Sequence, residues 1–195
     1  MIINIRGTSG SGKSTLVRRI MDQYTGCRSR IKRPNRKQPF GYLLTQEHKV
    51  GALGGLGPPL IVIGHYESPC GGCDTIKTYA EVFQAVRDAH TSGYNVLFEG
   101  LLLSTDKNHI RKLAEEYKDD HLIVGLDVPV EECLRCVNER RRAKKPDAEP
   151  VNPKGTKSKH ATNRRAMSSF ISAGLNAEWH DRESAFTRIC KELGI

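Results

Sequence analysis

Eight consecutive residues, Gly7-Thr8-Ser9-Gly10-Ser11-Gly12-Lys13-Ser14, have the types and spacing needed to hold a polyphosphate. Glycines let successive backbone N–H groups curl around an anion with no Cβ in the way. Glycine, four residues, then Gly-Lys-Ser/Thr is the P-loop pattern. Lys13 would reach the β- and γ-phosphates, and the Ser14 hydroxyl would meet Mg²⁺. Thr15 completes the run at the start of the following segment. This chemistry is the binding of ATP or GTP, and it leaves open where the phosphoryl group goes.

The flanking residues supply the elements that such a loop needs. Met1-Ile2-Ile3-Asn4-Ile5 reads as a short buried strand. Thr15 to Met21 reads as an amphipathic helix with Leu16, Val17 and Ile20 inward. Its N-terminal dipole end would face the phosphates.

A second cluster follows the apolar run Leu60-Ile61-Val62-Ile63-Gly64, which reads as a buried strand. Gly64-His65-Tyr66-Glu67-Ser68-Pro69-Cys70-Gly71-Gly72-Cys73-Asp74-Thr75 then gathers polar, aromatic and glycine residues just past the strand end. Ligands of open α/β sheets bind there, so this segment is expected to be the acceptor loop. Asp74 is the first choice for the group that orients or deprotonates an attacking hydroxyl, and Glu67 the second. His65 and Tyr66 would stack on or hydrogen-bond a base. The plainer role for Asp74 is to cap the helix that begins near Thr75 or Lys77.

Asn95-Val96-Leu97-Phe98-Glu99-Gly100 is another buried strand, ending in an acid. A carboxylate so placed sits beside Mg²⁺ or its water, as in a Walker B strand. Glu99 takes that role, or the base role if Asp74 does not. An acid at a strand end also serves as a simple cap or ion-pair partner.

Two stretches are strongly basic. Residues 27–37 hold six Lys or Arg and no acid, and Pro34 argues for a loop or extended segment. Arg33 and Arg36 there would follow nucleic-acid phosphates, unless the run is only a solvated charged face. Residues 140–165 hold ten Lys or Arg and two acids, with Pro146, Pro150, Pro153 and Gly155 keeping the middle irregular. That composition suggests a mobile lid whose arginines neutralise charge on the transferred phosphoryl group. Arg140 and Arg164 are the candidates, with Arg141 and Arg165 beside them. A disordered basic loop that only steers substrates is the alternative.

The remaining elements are read by periodicity. Strands are expected over 40–45, 49–53 and 121–128, with a turn over 54–59. Helices are expected over 78–89, 105–118, from Pro129 to the basic run, over 161–173 and over 182–193. Trp179 would cover the edge of the core. Asp127 would anchor a turn.

Of the six cysteines, Cys70/Cys73 and Cys133/Cys136 have the spacing of zinc ligands. Cys133 and Cys136 lie in a helical pattern, however, so core and loop thiols are the preferred reading. The 195 residues suit one domain spanning 1–195, with 37% hydrophobic residues. Lys and Arg exceed Asp and Glu by 31 to 22, a formal charge of +9 that favours a polyanionic partner. No apolar run approaches membrane-spanning length and the N-terminus opens directly in a strand, so a cytoplasmic protein is expected.

Taken together, Gly7–Ser14, Glu99 and the run from Leu126-Asp127-Val128-Pro129 to Arg140-Arg141 resemble the P-loop kinases of nucleotides, nucleosides and polynucleotides. More narrowly, Ile5–Lys13, Gly64-His65-Tyr66, Cys70–Thr75 and Phe98-Glu99-Gly100 resemble the bacteriophage 5-hydroxymethyluracil DNA kinases. The strand-rich stretch between the P-loop helix and the next helix reads as an insertion on the acceptor side, and the resemblance implies a three-layer α/β fold with a mainly parallel sheet. It also implies ATP and Mg²⁺ as co-substrates and modified DNA as acceptor; no obligate protein partner is inferred. A kinase of a free nucleoside or nucleotide, and a nucleic-acid-binding ATPase, are the alternatives.

Overall fold

In a computed structural model, residues 1–47 and 57–195 are described. The strand expected over 49–53 and the first half of the turn after it lie outside the described residues.

The chain forms β1 (Ile2–Arg6), α1 (Lys13–Met21), β2 (Arg28–Ile31), β3 (Gly41–Leu44), β4 (Leu60–Ile63) and a 3₁₀ turn at Cys73–Thr75. There follow α2 (Tyr79–Thr91), β5 (Asn95–Glu99), α3 (Leu101–Thr105), α4 (Asn108–Glu116) and β6 (His121–Leu126). The last elements are α5 (Val130–Lys144), α6 (Pro153–Ser172), β7 (Ala177–His180) and α7 (Arg182–Leu193).

The seven strands make one sheet in the order β2-β3-β4-β5-β1-β6-β7. Pairing is parallel from β4 through β7, and antiparallel for β2-β3 and β3-β4. The strand-rich insertion is therefore an antiparallel extension of the parallel sheet.

Alternation along the strands sends side chains to two separate cores, as the period of two requires. Ile3, Ile5, Leu97, Leu122 and Val124 pack on one face with α1, α5 and α7. Ile2, Val96, Phe98 and Ile123 pack on the other with α2, α3, α4 and α6. Continuous apolar runs such as Leu60–Ile63 and Leu122–Val124 follow from having helices on both faces.

Several expectations change. The helix expected over 105–118 is the shorter α4, and α3, a separate helix not expected from the sequence, precedes it. Between them the backbone is extended at Asp106, whose carboxylate accepts the His109 N–H at 3.1 Å. The sixth strand stops at Leu126. The irregular middle of 140–165 is confined to 145–152. α6 already begins at Pro153, where proline suits the first turn and the Asn152 side chain accepts the Lys154 N–H at 3.0 Å. The Asn138 amide oxygen accepts the Val151 N–H at 2.8 Å and ties this connection back to α5.

Trp179 does more than cover an edge, since it lies in β7, a strand not expected at all. Its ring lies where Gly125 of the neighbouring β6 has no side chain; a Cβ there would stand 2.7 Å from the indole.

Candidate active site

The carboxyl ends of β1, β4 and β5 open into a cleft of about 660 Å³ between the P-loop, the segment after β4 and one face of α5. It sits where α/β sheets bind ligands, at a change in strand order.

Its floor is the P-loop. Gly10 and Gly12 have φ of +84° and +100°, which a residue with a Cβ adopts only under strain. Space reinforces the point at Gly10, where a Cβ would lie 2.1 Å from the Cys133 carbonyl oxygen. The loop thus rests directly on the first turn of α5. Ser9, Gly10, Gly12, Lys13, Ser14 and Thr15 line the cleft. Gly7, Thr8 and Ser11 are buried beneath it. Gly7 donates its N–H to the Ser104 hydroxyl at 3.1 Å, which fixes the start of the loop to α3.

The Lys13 ammonium donates to the carbonyls of Gly7 and Thr8 at 2.7 and 3.2 Å. Burial pulls its pKa below the usual lysine value, while the charges of Glu99 and Asp74 oppose that fall. Glu99, at the end of β5, is 1% exposed and accepts a hydrogen bond from the Ser14 hydroxyl at 2.7 Å. Burial raises its carboxyl pKa, opposed by Lys13 and by the Ser14 bond. A hydroxyl and a buried carboxylate side by side are hard oxygen ligands of the kind Mg²⁺ takes.

The facing wall belongs to the acceptor loop. The Gly71 N–H donates to the Ser14 hydroxyl at 3.3 Å, so donor and acceptor loops touch. Arg18, one helical turn beyond Ser14, donates to the Tyr66 carbonyl at 3.1 Å and also to that of Ser68. From the other side Arg36 donates to the Thr75 carbonyl and hydroxyl at 2.8 and 2.6 Å. Two arginines thus clamp the loop by its backbone.

Asp74 is exposed and lines the cleft. It is a cap, but not of the helix that follows it. Thr78 caps α2, accepting the Glu81 N–H at 3.2 Å. Asp74 instead accepts the N–H groups of Leu101 and Leu102 at 2.9 and 3.2 Å, capping α3 from 27 residues away.

The third wall is α5. Helical spacing puts Glu132, Cys136 and Arg140 on one face. Arg140 and Cys136 line the cleft, and Glu132 holds Arg182 at 2.7 Å. Arg182, the first residue of α7, also donates to the Ser11 carbonyl at 2.9 Å and braces the P-loop from below.

Other expected residues lie elsewhere. Arg164 pairs with Asp127 at 2.5 Å and stacks 4.9 Å from the Trp179 ring centre, away from the cleft. The reason is α6, whose helix carries this position to the β6–β7 side. Arg141 and Arg165 do not line the cleft either. Glu67 is held by Arg30 at 2.7 Å and does not face the cleft. His65 and Tyr66 are 5% exposed. His65 contacts Ser68 and Thr75 within its own loop, and the Tyr66 ring packs under Gly71. Both therefore shape the acceptor loop from inside. Arg33 lies over the Phe40 ring at 5.0 Å and is exposed on the antiparallel edge. The C-x-x-C pairs are split, with Cys73 and Cys133 buried, Cys70 exposed and Cys136 half-buried. No cluster of metal-ligating side chains occurs among the described residues.

Sequence reasoning passed over Arg18 and Arg182. The signal for Arg18 was its spacing of four from Ser14 on α1. Nothing local marks Arg182, which reaches the P-loop only through the fold.

A family model described as an AAA domain matches residues 2–164. The chain is 42% identical over 188 residues to a 5-hmdU DNA kinase of Pseudomonas phage PaMx11, covering 96% of this chain and 94% of that one. It is 25% identical to a 5-hmdU DNA kinase of Delftia phage PhiW-14 and 23% identical to one of Bacillus phage SP10. Those alignments cover 89% and 94% of this chain but 65% and 27% of the two relatives. With a P-loop facing an exposed carboxylate, and near full-length identity of this order, the chain belongs to the AAA-domain proteins and, among them, to the 5-hmdU DNA kinase family.

Proposed function

We propose that the protein transfers the γ-phosphoryl group of ATP to the hydroxymethyl oxygen of 5-hydroxymethyluracil in phage DNA, in the host cytoplasm. What carries the reading is the near full-length identity with the PaMx11 enzyme, in a chain whose P-loop shares a cleft with an exposed aspartate.

In the reaction the hydroxymethyl oxygen forms a bond to the γ-phosphorus as the bond to the ADP oxygen breaks, and the hydroxyl proton leaves for Asp74 or water. A loose transition state needs positioning more than a strong base, which suits a carboxylate already accepting two N–H groups. The P-loop N–H groups and Lys13 would hold the phosphates. Ser14 and Glu99 would hold Mg²⁺, directly or through water, and the ion would neutralise phosphate charge. Of the arginines expected in the basic lid, Arg140 lines the cleft and would meet charge on the transferred group. The DNA backbone would run past the exposed cations of residues 28–37, including Arg33. Arg36 would act by holding the acceptor loop.

The test is mass spectrometry of nucleosides from hydroxymethyluracil DNA incubated with the enzyme, ATP and Mg²⁺. A phosphorylated hydroxymethyl nucleoside is expected. Phosphorylation of the free monomer alone, or release of inorganic phosphate with no labelled DNA, would overturn the reading.

A further inference from the structure

Asp74 borders a second cavity as well as the main cleft. This cavity, of about 260 Å³, lies between the Cys73–Thr75 turn, the start of α2 and the first turn of α3. Its walls are mainly apolar, from Ile76, Tyr79 and Val82 on one side and Leu102 and Leu103 on the other. Lys77 and Thr78 supply the polar margin.

We propose that this cavity receives the acceptor pyrimidine, extruded from the DNA, with its face against Tyr79 and Leu102 and its hydroxymethyl group at Asp74. The inference rests on the DNA kinase reading above and names the subsite that the reading requires.

One general argument and three observations support it. A base inside a duplex cannot present a C5 substituent to a buried phosphate, so it must leave the stack. The residues expected to hold it, His65 and Tyr66, are instead buried in the acceptor loop. Leu102 is 50% exposed, one of two large apolar side chains so exposed among the described residues. A flat base would cover it. Finally, the volume is below the roughly 300–1,000 Å³ of sites for drug-sized ligands, which favours a single ring over a nucleotide.

The shared carboxylate explains the geometry of capping. Because Asp74 bonds the N–H groups of Leu101 and Leu102, the same bonds that aim it also set the α3 wall of the cavity. Tyr79 is held at the other wall by Phe83 and His109, at centroid distances of 6.4 and 5.5 Å. Lys77 stands beside the opening, where the strand bearing the extruded nucleotide would pass.

The experiment uses a duplex with one 5-hydroxymethyluracil and 2-aminopurine as its neighbour, which brightens when the target base unstacks. Leu102→Trp fills the cavity from an exposed position, and Tyr79→Ala removes its aromatic wall. With wild type, fluorescence should rise on binding and the DNA should be phosphorylated. Leu102→Trp should abolish the rise, and both variants should raise KM for the DNA roughly tenfold or more, the scale of one lost base-stacking contact. KM for ATP and affinity for unmodified duplex should not change. Wild-type transfer with unaltered KM and fluorescence in both variants would overturn the cavity assignment alone. Absence of wild-type transfer to the DNA would overturn the parent reading, and this one with it.

Discussion

Residues 7–14 and residues 64–76 face each other across one cleft, yet they are held in shape by different means. The P-loop is specified locally. Its backbone curls because glycines occupy left-handed positions at Gly10 and Gly12, and α1 follows directly. The acceptor loop has left-handed glycines of its own, Gly64 and Gly72, and a local bridge between His65 and Gly72, but its position against the cleft is set at a distance. Arg18 from α1 and Arg36 from the segment after β2 hold its carbonyls, while Asp74 leans on α3. A contiguous motif can build an anion cradle, because backbone N–H groups are present at every residue. Placing one carboxylate against it takes side chains from several elements.

The contrast predicts a graded series. Lys13→Ala should lower both DNA phosphorylation and ATP hydrolysis by on the order of 10³-fold or more, the scale for removing a donor to developing charge. Steady-state assays of both reactions would detect it, and near-normal turnover of either would break the contrast. Asp74→Asn should lower turnover with DNA roughly 10²- to 10³-fold while nucleotide binding, followed by titration calorimetry, stays intact. Asparagine still caps a helix well, so α3 should survive the change and the loss should be confined to the acceptor half.

Arg140→Ala should lower kcat by roughly 10- to 10²-fold, less than a fully buried donor. Its companion from the same basic stretch, Arg164→Ala, should leave transfer unchanged. Between them lies Arg36→Ala, which frees Thr75 from two hydrogen bonds. At about 0.5–1.5 kcal/mol each, their loss should raise KM for DNA several-fold with little change in kcat. If kcat fell instead, Arg36 would be acting on the reaction rather than on the loop. Arg164→Ala is the smallest effect, a thermal shift from losing an exposed pair worth about 0.2–1 kcal/mol and its stacking on Trp179.

The same division governs what was legible in the sequence. Gly7–Ser14, the strands at 2–6, 60–63 and 95–99, and Glu99 at a strand end all follow from local pattern. β7 does not. Ala177-Glu178-Trp179-His180 has no strand signature and pairs because β6 offers an open edge with Gly125 clearing space for the indole. The early start of α6 was signalled by Asn152 and Pro153, but the lysines and Gly155 after them hid it. The helix that Asp74 caps was illegible, since the local helix has its own cap in Thr78 and the true partner is 27 residues away. Arg164 was misplaced for the same reason. Charge density in a segment does not say which way a helix turns each residue.

The contact between Gly10 and the Cys133 carbonyl has a mechanical consequence. With two main chains abutting there, α5 has no clearance to tip farther toward the donor loop. Arg140 lies two turns along that helix from the contact, so its backbone is carried by an element that rests on the donor loop. The inner wall of the cleft is thus seated on the donor loop itself, and a bulkier residue at position 10 would push the two apart before it touched any nucleotide.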